Sequence, residues 1–450
     1  MPRSRVLVVG TTPDYVALIR ERFPERALFL TDISQYGEAS EHQPGDSDEL
    51  VGDLRDTGGV FSKLEHWLHE DRLSLTGVAG FDCEWLLLAA EIARRYELPF
   101  PSPESVRLSR DKYLTKRRWA ERGVRCPRVR LIRGAGLAVQ FLQELENPVV
   151  FKPLTGSGSE LTFRCDNVKE VAPLLRLMGK ELVHRAASPL YGPDLSGDVD
   201  GQGLLVLAEE YIEGPEFSAD FVIDGDDVTI VRTARKVRDR KATFGTAAAY
   251  LVPADFPATL SRELFKDKLR QAAHALNMTW AVCMVDFILV KDEMVFLELT
   301  PRIGGDCLPP LVRQSCGLDT IGLALDLAEN RDWQIPPPES WEPMVGVRVL
   351  ASESGVVSGY RFDALSDDQR VKEVHLKHPP GHVVIMPPRD YDSRVLGHFV
   401  FAPEPEHCVK RQCEELRPKF IVDMEPKDDG KLARIHNAGR GAVQSADPVA

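Results

Sequence analysis

Two apolar runs, Met284–Val290 and Met294–Leu299, are joined by only Lys291, Asp292 and Glu293. A link this short and polar leaves no room for a crossover, so it predicts an antiparallel hairpin. On adjacent strands Asp286 and Glu298 can then lie opposite each other, where side chains stand roughly 5 Å apart. Two carboxylates that close repel unless something positive joins them. Magnesium takes one or two protein carboxylates and completes its octahedron with water and substrate phosphates, so the pair suits a metal–nucleotide site better than a closed protein cage. Arg302, four residues beyond Glu298, is placed to meet phosphoryl charge.

The rest of the chain sets the frame for that hairpin. With 450 residues, 43% of them hydrophobic, it is long enough for about three domains with a sizeable core. The 69 acidic residues outnumber the 56 basic ones, and a net charge of −13 disfavours nucleic acid and anionic membrane surfaces as partners. No apolar run reaches the roughly 18 residues of a membrane helix, which predicts a soluble, cytoplasmic protein. Eight cysteines show no CxxC pair and no Cys/His cluster, so reduced, buried thiols are expected.

In the first hundred residues, strand-like Arg5–Val9, Ala27–Leu30 and Gly77–Phe81 alternate with helical Pro13–Arg22 and Glu84–Tyr96. That is the rhythm of a doubly wound parallel sheet. Gly10 is followed by Thr-Thr-Pro-Asp rather than a GxGxxG loop, so a dinucleotide site loses its main support. Pro99, Pro101 and Pro103 mark an extended crossing into the next domain. Ser109 is expected to cap a helix through Glu121, closed by Gly123. Strands at Pro148–Lys152, Leu161–Cys165, Leu204–Glu209, Phe217–Ile223 and Thr229–Arg232, with little helix between them, predict an antiparallel α+β region. His184–Gly203 has the composition of a mobile loop. Ser261 starts an amphipathic helix through Phe265, Leu269, Ala272 and Leu276, and a second helical stretch surrounds Leu318–Leu327. Val345–Leu350, Val371–Leu376, His382–Met386 and Leu396–Phe401 read as strands of a third, small domain, with a helix near Glu406–Leu416 and a disordered tail from Pro426.

Three further stretches can carry chemistry. Lys152 ends an apolar strand and is followed by Gly156, Ser157, Gly158 and Ser159, so an ammonium and several backbone N–H groups can reach one phosphate chain. It is not a GxxxxGK[ST] loop, because the lysine comes first. Glu209, Glu210, Tyr211 and Ile212 lead a strand into a turn whose backbone can pair with a purine edge, with Glu209 accepting from an exocyclic amine and Glu216 from ribose hydroxyls. Arg232, Arg235, Lys236, Arg238, Arg240 and Lys241 form a basic cluster in an acidic chain, suited to an anionic substrate or triphosphate.

Taken in order, these segments resemble the ATP-grasp superfamily, and within it the amide-forming carboxylate–amine ligases of the L-amino acid ligase (dipeptide synthase) type. The resemblance runs from the amino terminus to about residue 425. It implies a multidomain α/β and α+β fold: an N-terminal doubly wound domain (1–104), a central ATP-grasp domain (105–312) with its flap-bearing part at about 127–208, a small β-rich C-terminal domain (313–425) and a tail (426–450). It implies that Lys112 and Lys152 contact phosphate, that the Gly156–Ser159 loop is the closing flap, and that Glu209–Ile212 receive adenine with Glu216 on the ribose. It makes Asp286 and Glu298 metal ligands with Thr300 beside them, Arg302 a catalytic and substrate contact, and Gly304 and Gly305 neighbours of the acyl site. Lys236 or Arg235 is expected to add a contact to phosphate or substrate carboxylate.

This sequence departs from the family in three places: Thr300 stands where asparagine is usual, Asp286 replaces the commoner glutamate, and Glu160-Leu161 continues the flap where small residues are usual. The implied activity is ADP-forming ligation of a carboxylate, an amino acid in this subgroup, to an amine through an acyl phosphate. ATP and Mg2+ are the implied cofactors, with Mn2+ as a substitute, and a homodimer is common among the relatives. The alternatives are biotin-carboxylase-like carboxylation and a nucleotide-binding regulator without turnover.

Overall fold

The computed structural model describes residues 3–36, 47–186, 188–191, 205–239 and 243–426. The expected tail beyond Pro426, most of the expected loop at His184–Gly203, and Arg240 and Lys241 lie outside the described residues.

Val6–Val9 are buried on both faces, as a strand covered by helices on either side must be. They belong to a four-stranded, all-parallel sheet ordered Glu49–Gly52, Ala27–Asp32, Arg3–Val9, Leu73–Ala79. Helices Pro13–Arg22, Thr57–Glu70 and Leu86–Arg95 connect and cover it. The strand at Glu49–Gly52 and the helix at Thr57–Glu70 are not evident from the sequence: the strand has four residues, of which only Leu50 and Val51 carry apolar side chains.

The helix expected from Ser109 to Glu121 is two helices. Ser102 caps Pro103–Arg110, and Asp111 ends it while capping Lys112–Glu121 through the N–H groups of Tyr113 (2.9 Å) and Leu114 (3.0 Å). An aspartate with two N–H partners is a better cap than Ser109, whose hydroxyl donates to the Val106 carbonyl instead. The break puts Lys112 at the first helical position, facing the cleft.

The flap-bearing part is an antiparallel sheet ordered Val129–Ile132, Val206–Glu210, Val149–Lys152, Phe163–Cys165. Helices Ala135–Leu145 and Val168–His184 back it, so the expectation of little helix is corrected. Pro173 lies within the second of these helices and disguises it in the sequence.

An eight-stranded antiparallel sheet forms the centre: Glu293–Thr300, Trp280–Val290, Glu216–Asp224, Asp227–Arg238, Ala247–Val252, Met344–Leu350, Val395–Phe401, Val371–Leu376. Ser261 caps helix Arg262–Ala275, which lays Phe265, Leu269 and Ala272 against Phe217, Phe287 and Phe296 of the sheet. The sheet continues without interruption from the hairpin strands into those beyond residue 344. A three-stranded sheet of Val383–Val384, Gly355–Arg361 and Ile421–Glu425 completes the carboxyl-terminal part with helix Val409–Leu416. Helix Thr320–Ala328 turns back to the N-terminal sheet. Ile321 and Leu325 pack with Val6, Val8 and Phe29, and Arg26 pairs with Glu329 at 2.8 Å. Gly77 permits this approach, because a Cβ there would lie 2.0 Å from the Ala328 carbonyl oxygen.

Candidate active site

The hairpin forms as its pattern predicts, Trp280–Val290 with Glu293–Thr300, turned by Lys291 and Asp292 at φ of 49° and 66°. Asp286 is registered directly on Glu298, and an irregularity follows between Asp286 and Phe287. Both carboxylates face one cleft of about 820 Å³ including its mouth, within the range of ligand pockets. Lys112, Lys152, Gly156, Ser157, Ser159, Glu209, Glu210, Tyr211, Ile212, Glu216 and Lys236 line the same cleft. Eleven residues chosen from sequence thus converge with the carboxylate pair. Arg235, Gly158, Thr300, Arg302, Gly304 and Gly305 do not line it.

The cleft is an alternation of charges. Lys112 donates to the Gly156 carbonyl at 2.7 Å and stands 3.8 Å from Glu298. Lys152 is 2.6 Å and Lys116 3.2 Å from Oε2 of Glu209, which is 3% exposed. Burial pulls the Lys116 ammonium down to about 8 even though Glu209 opposes it. Burial raises the Glu209 and Glu298 carboxyls, but the lysines around each outweigh it and leave both below the usual range. Glu216 receives Lys236 at 2.9 Å and Arg238 on its other oxygen. Lys236 also reaches Asp286 Oδ2 at 2.8 Å. Burial, with Glu216 and Glu298 nearby, pushes the Asp286 carboxyl up against the pull of Lys236. Its Oδ1 is buried with no hydrogen-bond partner among the described residues. A buried, unpaired carboxylate oxygen beside a second carboxylate is the donor set a hard cation takes, so Asp286 and Glu298 fit magnesium.

Two of these contacts change the roles expected from sequence. Glu209 lines the cleft, but its Oε2 meets two lysines rather than standing open as an acceptor for a base. Arg235 is exposed on the opposite face of its strand from Lys236, because side chains alternate along it. From the basic cluster, period two puts Lys236 and Arg238 in the cleft wall and Arg235 outside it. Lys116, one helical turn after Lys112, carries the corresponding signal for a helix.

The flap is held by its neighbours. Thr155 donates to the Leu190 carbonyl (2.7 Å), Ser159 to the Gly245 carbonyl (3.0 Å) and Tyr191 to Glu160 (2.6 Å). Arg185 binds Glu181 at 2.8 Å and donates to the carbonyls of Pro388 (2.6 Å) and Arg389 (2.7 Å). At the far end, Arg164 lies 4.2 Å over the ring of Tyr211 and Phe244 also lines the wall.

Arg302 leaves the hairpin toward the N-terminal domain, where its Nε donates to Cys83 Sγ at 3.2 Å. Thr300 is buried opposite Met284. The Gly304 N–H donates to Asp220 at 3.0 Å, and a Cβ there would fall 2.4 Å from Arg232 Nη2. Arg232 is buried on Asp220 (2.7 and 2.9 Å) and Ser218 (2.8 Å), a positioning pair that the sequence reading missed. Beyond the glycines, Asp306 pairs with Arg348 at 2.6 Å, with Tyr250 at 3.5 Å. Among the described residues no group of three or more His, Cys, Asp or Glu forms a metal cage, and no helix is long and apolar enough to cross a membrane.

Residues 109–306 match the ATP-grasp domain family, the span that holds this cleft. The chain contains an ATP-grasp domain. Among curated proteins, an uncharacterized protein of Sinorhizobium fredii is 26% identical over 286 residues, 62% of this chain and 52% of that one. A D-alanine–D-alanine ligase of Aromatoleum aromaticum is 26% identical over 229 residues, 50% of this chain and 66% of that one. The chain thus spans about half the length of the first relative. Among solved structures, the L-amino acid ligase from Bacillus licheniformis superposes with a TM-score of 0.70 at 18% identity, covering 95% of this chain and 100% of that one. Biotin carboxylase from Campylobacter jejuni gives 0.62 at 15%, covering 93% and 92%. At these identities the likeness shows a shared fold, which extends on both sides of residues 109–306.

Proposed function

We propose that the protein is an ATP-dependent, ADP-forming ligase that joins a carboxylate, an amino acid, to an amine through an acyl phosphate. The observation that carries this reading is the Asp286–Glu298 pair facing the same cleft as Lys112 and Lys152. Asp286 and Glu298 would hold magnesium, which when bound would supply positive charge to offset that of the phosphates. Lys112 and Lys152 reach the triphosphate from two sides, and the Gly156–Ser159 loop supplies backbone N–H groups above it. Tyr211, Ile212 and Phe244 offer the wall for the base.

A carboxylate oxygen of the acid attacks the γ-phosphorus in line, and the bond to the bridging oxygen breaks to release ADP. The amine then attacks the acyl carbon, losing a proton to solvent, and phosphate leaves with the former carboxylate oxygen. Rate comes from positioning and charge, and the closed flap keeps water from the acyl phosphate in the interval between the steps. Arg302 lies outside the cleft lining, at the seam with the N-terminal domain, where it meets Cys83. The neighbouring Asp306–Arg348 pair presents both signs of charge, the complement of a zwitterionic amino acid.

A phosphate-release screen of paired amino acids and amines with ATP and magnesium, read by mass detection of product, tests this. Release stimulated by an amino acid together with an amide product is expected. Release stimulated by bicarbonate alone would replace the reading with carboxylation, and nucleotide binding without any acceptor-dependent ADP would replace it with a regulator.

A further inference from the structure

Four strands lie side by side in the order Glu293–Thr300, Trp280–Val290, Glu216–Asp224, Asp227–Arg238, and they send charges into the cleft: Glu298, Asp286 and Glu216 from the first three, Lys236 and Arg238 from the fourth. Lys236 is long enough to cross its neighbour. Its ammonium stands 2.9 Å from Glu216 Oε1 and 2.8 Å from Asp286 Oδ2, with about nine-tenths of the side chain buried. Arg238 also binds Glu216, but among its described contacts none is to Asp286. Lys236 is therefore a cation that already occupies one lone-pair direction of the carboxylate pair, leaving Asp286 Oδ1 unpaired among the described residues.

We propose that Lys236 is a built-in counter-ion which stands at the carboxylate pair in place of a divalent cation, so that the nucleotide-free site rejects free metal and accepts it only with a triphosphate. The inference rests on the metal–nucleotide reading above. An ammonium within hydrogen-bond distance of Asp286 and a divalent ion on the same carboxylate repel strongly in a buried site. A triphosphate relieves that repulsion by bringing oxygens that take over the ammonium. The lysine then serves two states: a substitute for the metal before nucleotide arrives, and a partner of phosphate or of Glu216 afterwards. Without it, three acids would face the cleft across adjacent strands and would draw in free metal.

The test is Mn2+ binding to the full chain without nucleotide, by electron paramagnetic resonance or calorimetry, for wild type, Lys236→Met, Lys236→Gln and Arg238→Gln. Circular dichroism and the urea unfolding midpoint verify that each variant is folded. Either Lys236 variant is expected to bind Mn2+ at least about tenfold more tightly than wild type, and Arg238→Gln to change it by less than about threefold. No tightening in the folded Lys236 variants, or equal tightening in Arg238→Gln, would overturn the inference, the second because loss of any nearby positive charge would then suffice. Wild type measured with ATP separates the two levels. A ternary Mn2+ complex alongside unchanged Lys236 variants sinks only the counter-ion, whereas no ternary complex in wild type sinks the metal–nucleotide reading itself.

Discussion

Lys152 stands 2.6 Å from Glu209 Oε2, an ion pair at the back of the cleft that aims the lysine from behind. Glu209→Gln removes the charge that holds both Lys152 and Lys116. A charged contact of this kind contributes about 1.5–3 kcal/mol, so the variant is expected to bind ATP roughly 10- to 100-fold more weakly. Titration calorimetry with ATP checks it, and unchanged affinity would return Glu209 to a structural role.

Glu298→Gln keeps the size of the side chain and removes a metal ligand. It is expected to abolish ADP release while leaving the fold and much of the nucleotide affinity intact. Steady-state ADP formation beside equilibrium nucleotide binding reads both, and parent-like turnover would show that the metal assignment is wrong.

Asp82 sits near Arg302, where burial first, and then Glu84, push its carboxyl up to about 6. The folded state therefore keeps the proton at a pH where the unfolded chain has lost it. Between about pH 4 and 6 stability falls as pH rises, and the loss is complete above the folded value. Asp82→Asn removes this dependence. Relative to wild type, the variant is expected to gain on the order of 2–3 kcal/mol from pH 4 to pH 7, measured by urea unfolding across that range.

Arg232 and Asp220 have essentially no side-chain exposure. Breaking such a pair from one side leaves a buried charge uncompensated, at about 3–5 kcal/mol. Arg232→Met is expected to lower the urea midpoint accordingly, and because Asp220 also holds the Gly304 N–H, the proposed ligase activity should fall as well.

Much of this site is legible in the sequence because it depends on short-range pattern. The hairpin follows from two apolar runs and a three-residue link, and the facing of Asp286 and Glu298 follows from the hairpin. Lys152 and its Gly/Ser loop are contiguous, and Ser261 announces its helix. What the sequence hides is long-range. That Glu209 would meet Lys116 and Lys152 depends on three elements converging, and no local pattern states it. Arg235 was separable from Lys236 by strand alternation alone, whereas the Asp220–Arg232 pair needed the register of two strands. Helix Val168–His184 is concealed by Pro173, and Asp111 hides as a cap because it serves two helices at once. The continuity of the central sheet past residue 344 is likewise a matter of which strands pair, not of what each strand is.

The most direct test of phosphoryl transfer to a carboxylate uses the acid identified by the phosphate-release screen, labelled with 18O in its carboxyl group. One labelled oxygen is expected in the released phosphate for each amide bond formed. Amide product accompanied by wholly unlabelled phosphate would contradict it, because the acid would then never have received the γ-phosphoryl group.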